Sequence, residues 1–264
     1  CGYTQPLPKL CPKCGSKYIL GFKAGTQQIE DKLKELYPGV RTLRMDADTT
    51  RAKDSYEKIL SAFSNGEADV LIGTQMIVKG HDFPKVTLVG ILAADLSLNA
   101  SDYRAGERTF QLLTQAVGRA GRGALPGEAV IQTYQPDHYA ITCAAAQDYK
   151  SFYEEEILYR ELSGYPPAAH MLAVQIYGKE EENVKQLARR LTDVVKSNMD
   201  FLQILGPTPA NISKINDIYR YVFYAKHAEY DTLVAVKDCV EETLRQWQPR
   251  QLSIQFDFDP VNVL

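Results

Sequence analysis

The 264-residue sequence predicts an α/β fold, in which a largely parallel sheet covered by helices is followed by a small α+β domain of βαββαβ order. Three observations carry this. Strand-like runs alternate with amphipathic helical stripes between Lys17 and Tyr134. The runs "DVLIGT" and "VTLVGILAAD" are apolar without polar alternation, as strands covered on both faces are. Beyond Pro167, two long helical patterns are set among strand-like runs in the order of the split βαβ layout.

Taken in order, Lys17 to Phe22 reads as a short strand, and Thr26 to Tyr37 as a helix with Ile29, Leu33, Leu36 and Tyr37 on one stripe, ended by Pro38-Gly39. "VRTLRMDAD" alternates into a strand that ends in acids. Thr50 then caps a helix carrying Tyr56, Ile59, Leu60 and Phe63, which Asn65-Gly66 stops. "DVLIGT", "VTLVGILAAD" and "GEAVIQTY" are buried strands, with an amphipathic helix from Asp102 to Ala116 between the last two. Asp137 to Ala146 and Tyr149 to Leu162 read as helices leading to "SGYPPAA", with Glu154, Glu155 and Glu156 on a solvated face. There follow a strand (His170 to Tyr177), a helix (Glu180 to Met199), a strand (Gln203 to Leu205, continuing irregularly), a strand (Tyr219 to Lys226), a helix (Tyr230 to Trp247) and a strand (Leu252 to Phe258). The last six elements form a helix pair on one face of a small antiparallel sheet.

With 45% hydrophobic residues the chain has core enough for one large domain and a smaller one. A net charge of -3 excludes a uniformly basic nucleic-acid coat but not a local basic groove. No run of eighteen apolar residues occurs, so no membrane partner is expected. The chain begins at Cys1 without a secretory pattern and reads as a piece of a longer intracellular protein, cytoplasmic in setting.

Five cysteines beside a full-sized core do not suggest a disulfide framework. Cys143 and Cys239 sit in helical patterns and read as small hydrophobes. "CGYTQPLPKLCPKCGS" differs, because Cys-Pro-Lys-Cys-Gly is a turn that lets two thiolates face one metal. Cys11 and Cys14 would supply two of four zinc ligands, and Cys1 could be the second member of another pair begun upstream. A redox CxxC or a plain turn is the alternative.

Three loops combine glycine with hydroxyl, amide or cationic groups, the chemistry of phosphate contact: "GTQQ" (Gly25 to Gln28), "GTQMIVKGHDFP" (Gly73 to Pro84) and "QAVGRAGR" (Gln115 to Arg122). In an open α/β sheet such loops are expected past the carboxyl ends of the strands. No GxxxxGK[ST] is present, so the chain has no phosphate-cradling loop of its own. Arginines offered to a phosphate held by another lobe act as arginine fingers. The plainer readings are Arg119 or Arg122 paired with a core carboxylate such as Glu107, Asp82 as a turn acid, Lys79 as a solvated cation and His81 as incidental. His138, His170 and His227 are isolated and receive no role.

"GTQMIVKGHDFPKVTLVGILAAD" with "ERTFQLLTQAVGRAGR" resembles motifs V and VI of superfamily 2 helicases. Joined to CPKCG, GTQ, RMDADTT and the later GYPP, the pattern resembles the bacterial replication-restart, or primosomal, branch of that superfamily over nearly the whole chain. The resemblance implies the C-terminal half of such a helicase. It would comprise the tail of a zinc module (1–16), a second RecA-like lobe with a mainly parallel sheet (17–136), a helical linker (137–167) and a C-terminal α+β DNA-binding domain (168–264). It further implies that Arg122 is the finger on the γ-phosphate, Arg119 a second cation and Gln115 an orienter of phosphate or water. Gly80 and Asp82 would line the cleft, Thr74 and Gln75 would touch DNA or couple it to ATP, and Gly25 and Thr26 would hold a DNA phosphate. Cys1 would serve one zinc site and Cys11 with Cys14 another, both incomplete here. ATP, Mg²⁺ held mainly by an upstream lobe, Zn²⁺, forked or single-stranded DNA, primosome proteins and single-strand DNA-binding protein are the implied cofactors and partners, in a nucleoid-associated setting.

In "KINDIYRYVFYAKH", Lys214, Arg220 and Lys226 interleave with Tyr219, Tyr221 and Tyr224, so Arg220 and Tyr221 are candidate DNA contacts. Tyrosines in the core with cations at its edge are the alternative. Two functions follow. The first is half of an ATP-driven DNA motor, inactive on its own. The second is a non-catalytic zinc-ribbon module that binds nucleic acid or a partner on a degenerate lobe.

Overall fold

A computed structural model describes residues 8–17, 25–51, 54–78, 83–121, 125–199 and 201–261. They divide into two compact units. One takes the residues up to Ala100 together with Arg104–Phe152, and the other takes Ser101–Tyr103 and the residues from Tyr153 on. Among the described residues no helix is long and apolar enough to cross a membrane.

The first unit is mixed α/β. Helix α1 (Thr26–Leu36) precedes strand β1 (Thr42–Met45), and helix α2 (Ser55–Ser64) precedes strand β2 (Val70–Gly73). β1 and β2 pair in parallel, Thr42 opposite Val70 and Met45 opposite Gly73. After a 3₁₀ turn (Gln75–Val78) come strand β3 (Leu88–Ile91), the short helix α3 (Asp95–Leu98), helix α4 (Ala105–Val117) and strand β4 (Glu128–Ile131). β3 and β4 are likewise parallel, Leu88 opposite Glu128.

Several expectations change here. The parallel pairing holds, but strands of four residues offer few ladder bonds, and among the described residues the strands form two separate parallel pairs, not one sheet. The expected strand at Lys17 to Phe22 lies mostly outside the described residues. Nor are all the strands covered, since Leu88 and Val130 remain 62% and 51% exposed. The stripe of α1 is incompletely covered as well, Leu36 and Tyr37 being exposed. Thr50 does not cap α2: its hydroxyl donates back to the Asp46 carbonyl at 2.6 Å, and Asp54, in the left-handed region at φ 67°, is the residue before the helix.

Helices α5 (Tyr139–Ala145) and α6 (Tyr149–Ser163) follow. His138 caps α5, its Nδ1 accepting the Ala140 N–H at 3.2 Å. Ala140, Ile141, Ala144 and Phe152 pack with Phe110 and Leu113 of α4, and the Phe110 and Phe152 rings stack at 4.0 Å. This cluster fixes α4, which carries "QAVGRAGR" at its far end.

The second unit is the predicted βαββαβ domain. Strand β5 (His170–Gly178), helix α7 (Glu181–Asn198), strand β6 (Gln203–Ile215), strand β7 (Ile218–His227), helix α8 (Tyr230–Trp247) and strand β8 (Leu252–Phe258) make an antiparallel sheet of order β6-β7-β5-β8. On α7, Val184, Leu187, Ala188, Leu191 and Val195 recur at helical spacing, and all are buried against Leu172, Val174 and Phe223 of the sheet. The β6–β7 turn at Asn216-Asp217 has both residues at positive φ, 47° and 61°, the geometry of a two-residue hairpin turn whose twist matches the strands. Glu156 is not part of a solvated face. It lies 7% exposed on the inward side of α6, where Arg160, 3% exposed, donates to it through Nε at 2.6 Å.

Candidate functional site

The carboxyl ends of β1 and β2 bring two of the predicted loops together. Gly25 is the extended residue before α1, with φ -70° and ψ 162°. Thr26 donates its hydroxyl to the Asp46 carboxylate at 2.5 Å, just past the end of β1. Asp46 also accepts the N–H groups of Asp48 and Thr49, each at 3.0 Å, and the Arg44 guanidinium approaches at 3.0 Å. The Thr26 hydroxyl first, then the Thr49 N–H, hold this carboxyl down to about 2. Hence the Thr26 hydroxyl is engaged with an acid, and what the start of α1 offers a phosphate is backbone N–H groups. Asp46 was visible in the sequence only as one of the acids ending a strand, yet it ties α1 to β1.

Beside this, β2 ends at Gly73. A β-carbon there would stand 2.5 Å from the Met45 carbonyl oxygen and 2.6 Å from Ile77 Cγ2, so only glycine lets the two strand ends close up. Thr74 and Gln75 follow at the surface, and the Thr74 carbonyl accepts the Ile77 N–H at 3.2 Å. α4 packs against this 3₁₀ turn. Lys79, Gly80, His81 and Asp82 lie outside the described residues.

"QAVGRAGR" is placed differently from expectation. Gln115 is exposed on the last turn of α4, Gly118 closes the helix, and Arg119, half-buried, continues a tightening spiral through Arg119 N–H to Ala116 O at 3.0 Å and Ala120 N–H to Val117 O at 3.2 Å. The Gly121 N–H then reaches the Val86 carbonyl at 3.0 Å and the Glu128 N–H reaches Thr87 O at 2.8 Å, both just before β3. The segment thus sits at the amino ends of β3 and β4, not past carboxyl ends. A parallel β-α-β crossover must return the chain to the start of the next strand, and this segment is the end of that return.

Gly121 and Gly127 approach each other closely through their backbones. A β-carbon on Gly127 would lie 2.1 Å from the Gly121 nitrogen, and one on Gly121 would lie 2.6 Å from the Gly127 nitrogen, while Gly121 itself has φ +70°. Both obstacles are backbone, which a rotamer change cannot relieve. Gly127→Ala is therefore expected to destabilise this unit by about 3 kcal/mol, the upper part of the usual overpacking range; a urea midpoint within error of the parent would contradict it. Gln147, which no sequence signal singled out, steadies the other side: its Nε2 donates to the Thr114 carbonyl at 3.1 Å, near the end of α4.

In the second unit the tyrosine-cation alternation sorts by face. Tyr221 is 8% exposed in the core, and its hydroxyl donates to Glu181 at 3.2 Å. Burial first, then Glu181, push that hydroxyl above the usual tyrosine range. Tyr224 is buried too, and so is Lys226, which is 4% exposed and donates to the Ser163 carbonyl at 2.6 Å; burial lowers its pKa. Arg220 remains half-buried with its guanidinium 5.6 Å from the Tyr177 ring centre. Lys214, nearer the hairpin tip, pairs with Asp217 at 2.9 Å. Of the interleaved residues, Lys214 is exposed, Arg220 and Tyr219 are half-buried, and Tyr221, Tyr224 and Lys226 are buried.

Cys11 and Cys14 adopt a knuckle turn, with the Gly15 N–H to Cys11 O at 2.8 Å, the Cys11 N–H to Ser16 O at 2.8 Å and Gly15 at φ +70°. The backbone N–H groups of Cys14 and Lys13 lower the Cys11 thiol pKa. That donor pair fits half of a tetrahedral zinc site. Among the described residues no group of three or more His, Cys, Asp or Glu is arranged to hold a metal, and Cys1 and Arg122 lie outside them.

Residues 7–124 match the helicase conserved C-terminal domain, and residues 161–261 match the primosomal protein N C-terminal domain. The replication restart protein PriA of Bacillus subtilis is 42% identical over 262 residues, 98% of this chain and 32% of that protein. The chain belongs to the PriA family, matching its C-terminal part. PriA of Synechocystis is 37% identical over 264 residues, 100% of this chain and 31% of the relative. PriA of Chlamydia pneumoniae is 45% identical over 226 residues, 85% of this chain and 30% of the relative. The chain therefore spans about a third of the length of the PriA relatives it matches. The residues from Cys11 to Gly121 lie within the helicase match, Gly127 and Gln147 lie beyond it, and the βαββαβ sheet lies within the primosomal match.

Proposed function

We propose that this chain supplies the second motor lobe and the C-terminal DNA-binding domain of an ATP-driven DNA helicase that serves replication restart. ATP is the substrate, held with Mg²⁺ mainly by a lobe that this sequence does not include. What this chain adds is cationic: Arg122 at the γ-phosphate as an arginine finger, Arg119 as a second cation and Gln115 as the orienting amide, with Gly80 and Asp82 at the same cleft. The observation that carries the reading is the glycine pinch at Gly121 and Gly127. It fixes the base of the loop ahead of Arg122 without any side chain, as a loop needs if its arginine is to reach outward. Thr74 and Gln75, presented beside α4 by the close approach at Gly73, are the groups through which strand contact is passed to the ATP site. The N–H groups at Gly25 and Thr26 hold a backbone phosphate of the tracked strand. Arg220 is a DNA contact of the small domain.

In this reading Cys11 and Cys14 give two thiolates to a zinc ion, and Cys1 gives one to a neighbouring ion. Zinc there would anchor the module and take no part in hydrolysis. Primosome proteins and single-strand DNA-binding protein are the partners that such an enzyme would meet in a bacterial cytoplasm.

The test compares the full-length protein with residues 1–264 alone. The full-length protein is expected to hydrolyse ATP faster when DNA is added, and residues 1–264 to bind DNA weakly without hydrolysing ATP. Hydrolysis by the shorter protein, or DNA binding without any ATP turnover by the whole one, would overturn the proposal; the latter result favours a non-catalytic binding module.

A further inference from the structure

We infer that the open face of the four-stranded sheet, around Tyr177 and Arg220, is a platform on which an unpaired base of single-stranded DNA stacks. This rests on the reading above, in which the small domain contacts DNA, and narrows it to one face and to a single strand.

The sheet has one face covered by α7 and α8 and another that is covered only in part. On that second face Met171, Ala173, Val222 and Tyr224 pack against Tyr103 and Tyr165, whose rings form a parallel stack at 4.9 Å. Further along the same two central strands the cover ends. Gln175 and Tyr177 of β5 and Arg220 of β7 continue the alternation, and Ser253 and Gln255 of β8, opposite Tyr177 and Gln175, are exposed. Tyr177 and Arg220 stand directly opposite each other. The tyrosine ring is held in place: its hydroxyl donates to the amide oxygen of Gln175, a residue only 3% exposed, and Gln255 Oε1 lies 3.3 Å from the same hydroxyl. A ring fixed at its far end loses little rotamer freedom when a base is laid on it.

Charge points to the occupant. Among the described residues neither Arg220 nor Lys179, the exposed residue after β5, pairs with an acid. Beside Tyr177 a hollow of about 380 Å³ is lined by Lys179, Ile218, Gln251 and Ser253 among others, and no acid lines it. Asp257, the acid on this face of β8, stands opposite Ala173, toward the covered part. Cations without carboxylates suit a phosphate backbone and an aromatic ring suits a base, which together make a single-strand site. Duplex DNA shows a protein only base edges within its grooves, so its bases cannot lie on Tyr177. Four-stranded sheets with aromatics on an open face hold single-stranded nucleic acid in this way. The order β6-β7-β5-β8 puts Tyr177 and Arg220 on the two central strands, where a bound strand crosses the sheet.

The experiment uses full-length protein with a short oligothymidine carrying iodouracil and with a duplex of equal length. Photolysis is expected to join the single strand to the peptide that bears Tyr177, read by mass spectrometry, and the duplex to give no such product. In binding at one salt concentration, Tyr177→Leu should weaken single-strand affinity about tenfold, the loss of one stacked base, with duplex affinity within about twofold of the parent. Tyr177→Phe, which keeps the ring, should stay within about threefold of the parent on the single strand. Arg220→Ala should lower the slope of log affinity against log salt by about one. Cross-links that fall only outside this face, parent single-strand affinity in a folded Tyr177→Leu protein, or equal losses on single strand and duplex would each overturn the inference. The cross-link is read on the parent protein, so it decides the matter even if Tyr177→Leu fails to fold. A parent that binds DNA and hydrolyses ATP but gives no cross-link here defeats this inference alone; a parent that binds no DNA removes the reading beneath it.

Discussion

Arg122→Ala in the full-length protein is expected to reduce DNA-stimulated ATP hydrolysis by about a thousandfold or more while nucleotide binding is retained, as for other arginine fingers. The magnitude follows from where charge develops. As the γ-phosphoryl group transfers, negative charge spreads over its oxygens, and a guanidinium placed there in a closed cleft stabilises the transition state more than the bound ground state. Losing a group of that kind lowers kcat and leaves nucleotide affinity near the parent value. The fold should not suffer, since the base of the loop is fixed by the Gly121 N–H to Val86 O bond and by the Gly121-Gly127 contact, neither of which uses the arginine. Arg122→Lys should recover little, because an ammonium is a point donor and cannot reproduce the planar fork. Unchanged turnover in Arg122→Ala would remove the finger assignment, and a loss of nucleotide binding equal to the loss of rate would recast the residue as a ground-state contact.

How far the sequence displayed this molecule depends on what holds each element. α8 was legible to the residue, Tyr230 to Trp247, because an 18-residue amphipathic helix with Leu233, Val236 and Val240 fully buried is set by its own hydrophobic period. The same is true of β8 and nearly so of β5 and β7. α3 was not legible, since four residues, Asp95–Leu98, carry no period. What organises that corner is tertiary: Asp95 accepts the Thr133 hydroxyl at 2.9 Å and the Tyr134 N–H at 3.0 Å from beyond β4. Burial alone would raise that carboxyl, and these bonds outweigh it, so its pKa is lowered. The predicted start of α4 at Asp102 was early by three residues because Tyr103 is claimed by the aromatic stack, a contact from far along the chain. Gly73 and Gly121 fell inside loops that the sequence singled out, while Gly127 only opened a predicted strand; an added β-carbon would collide at all three, whereas at Gly25 it would meet nothing within 4 Å. The tyrosine-cation run was ambiguous because period-2 alternation gives two faces without naming which one the helices cover. α7 and α8 cover the face of Tyr221 and Phe223 and leave Arg220 on the other.

Glu156→Leu is expected to cost the C-terminal unit about 3–5 kcal/mol, the usual penalty for removing one partner of a buried ion pair. Three glutamates in a row resemble a solvated face, yet on a helix Phe152, Glu156 and Arg160 share one side, and all three are buried. Glu156 and Arg160 are neighbours one turn apart, so the carboxylate meets the guanidinium without long-range folding. Without the carboxylate, Arg160 keeps its charge, because guanidinium cannot shed its proton in a protein, and the 3%-exposed cation has lost the anion that offset its desolvation. The bonds to Pro166 O and the Tyr103 ring remain, but they are dipole and quadrupole contacts and do not neutralise a charge. Glu156→Gln should cost less, since the amide oxygen still accepts from Nε. The double variant Glu156→Leu/Arg160→Met should recover much of the loss by removing both charges together, though the Pro166 carbonyl then lacks its donor. Urea unfolding of the four proteins separates these cases. Equal midpoints for Glu156→Leu and the double variant would show that the helix face tolerates Arg160 without Glu156, and the loss would then have to be assigned to packing.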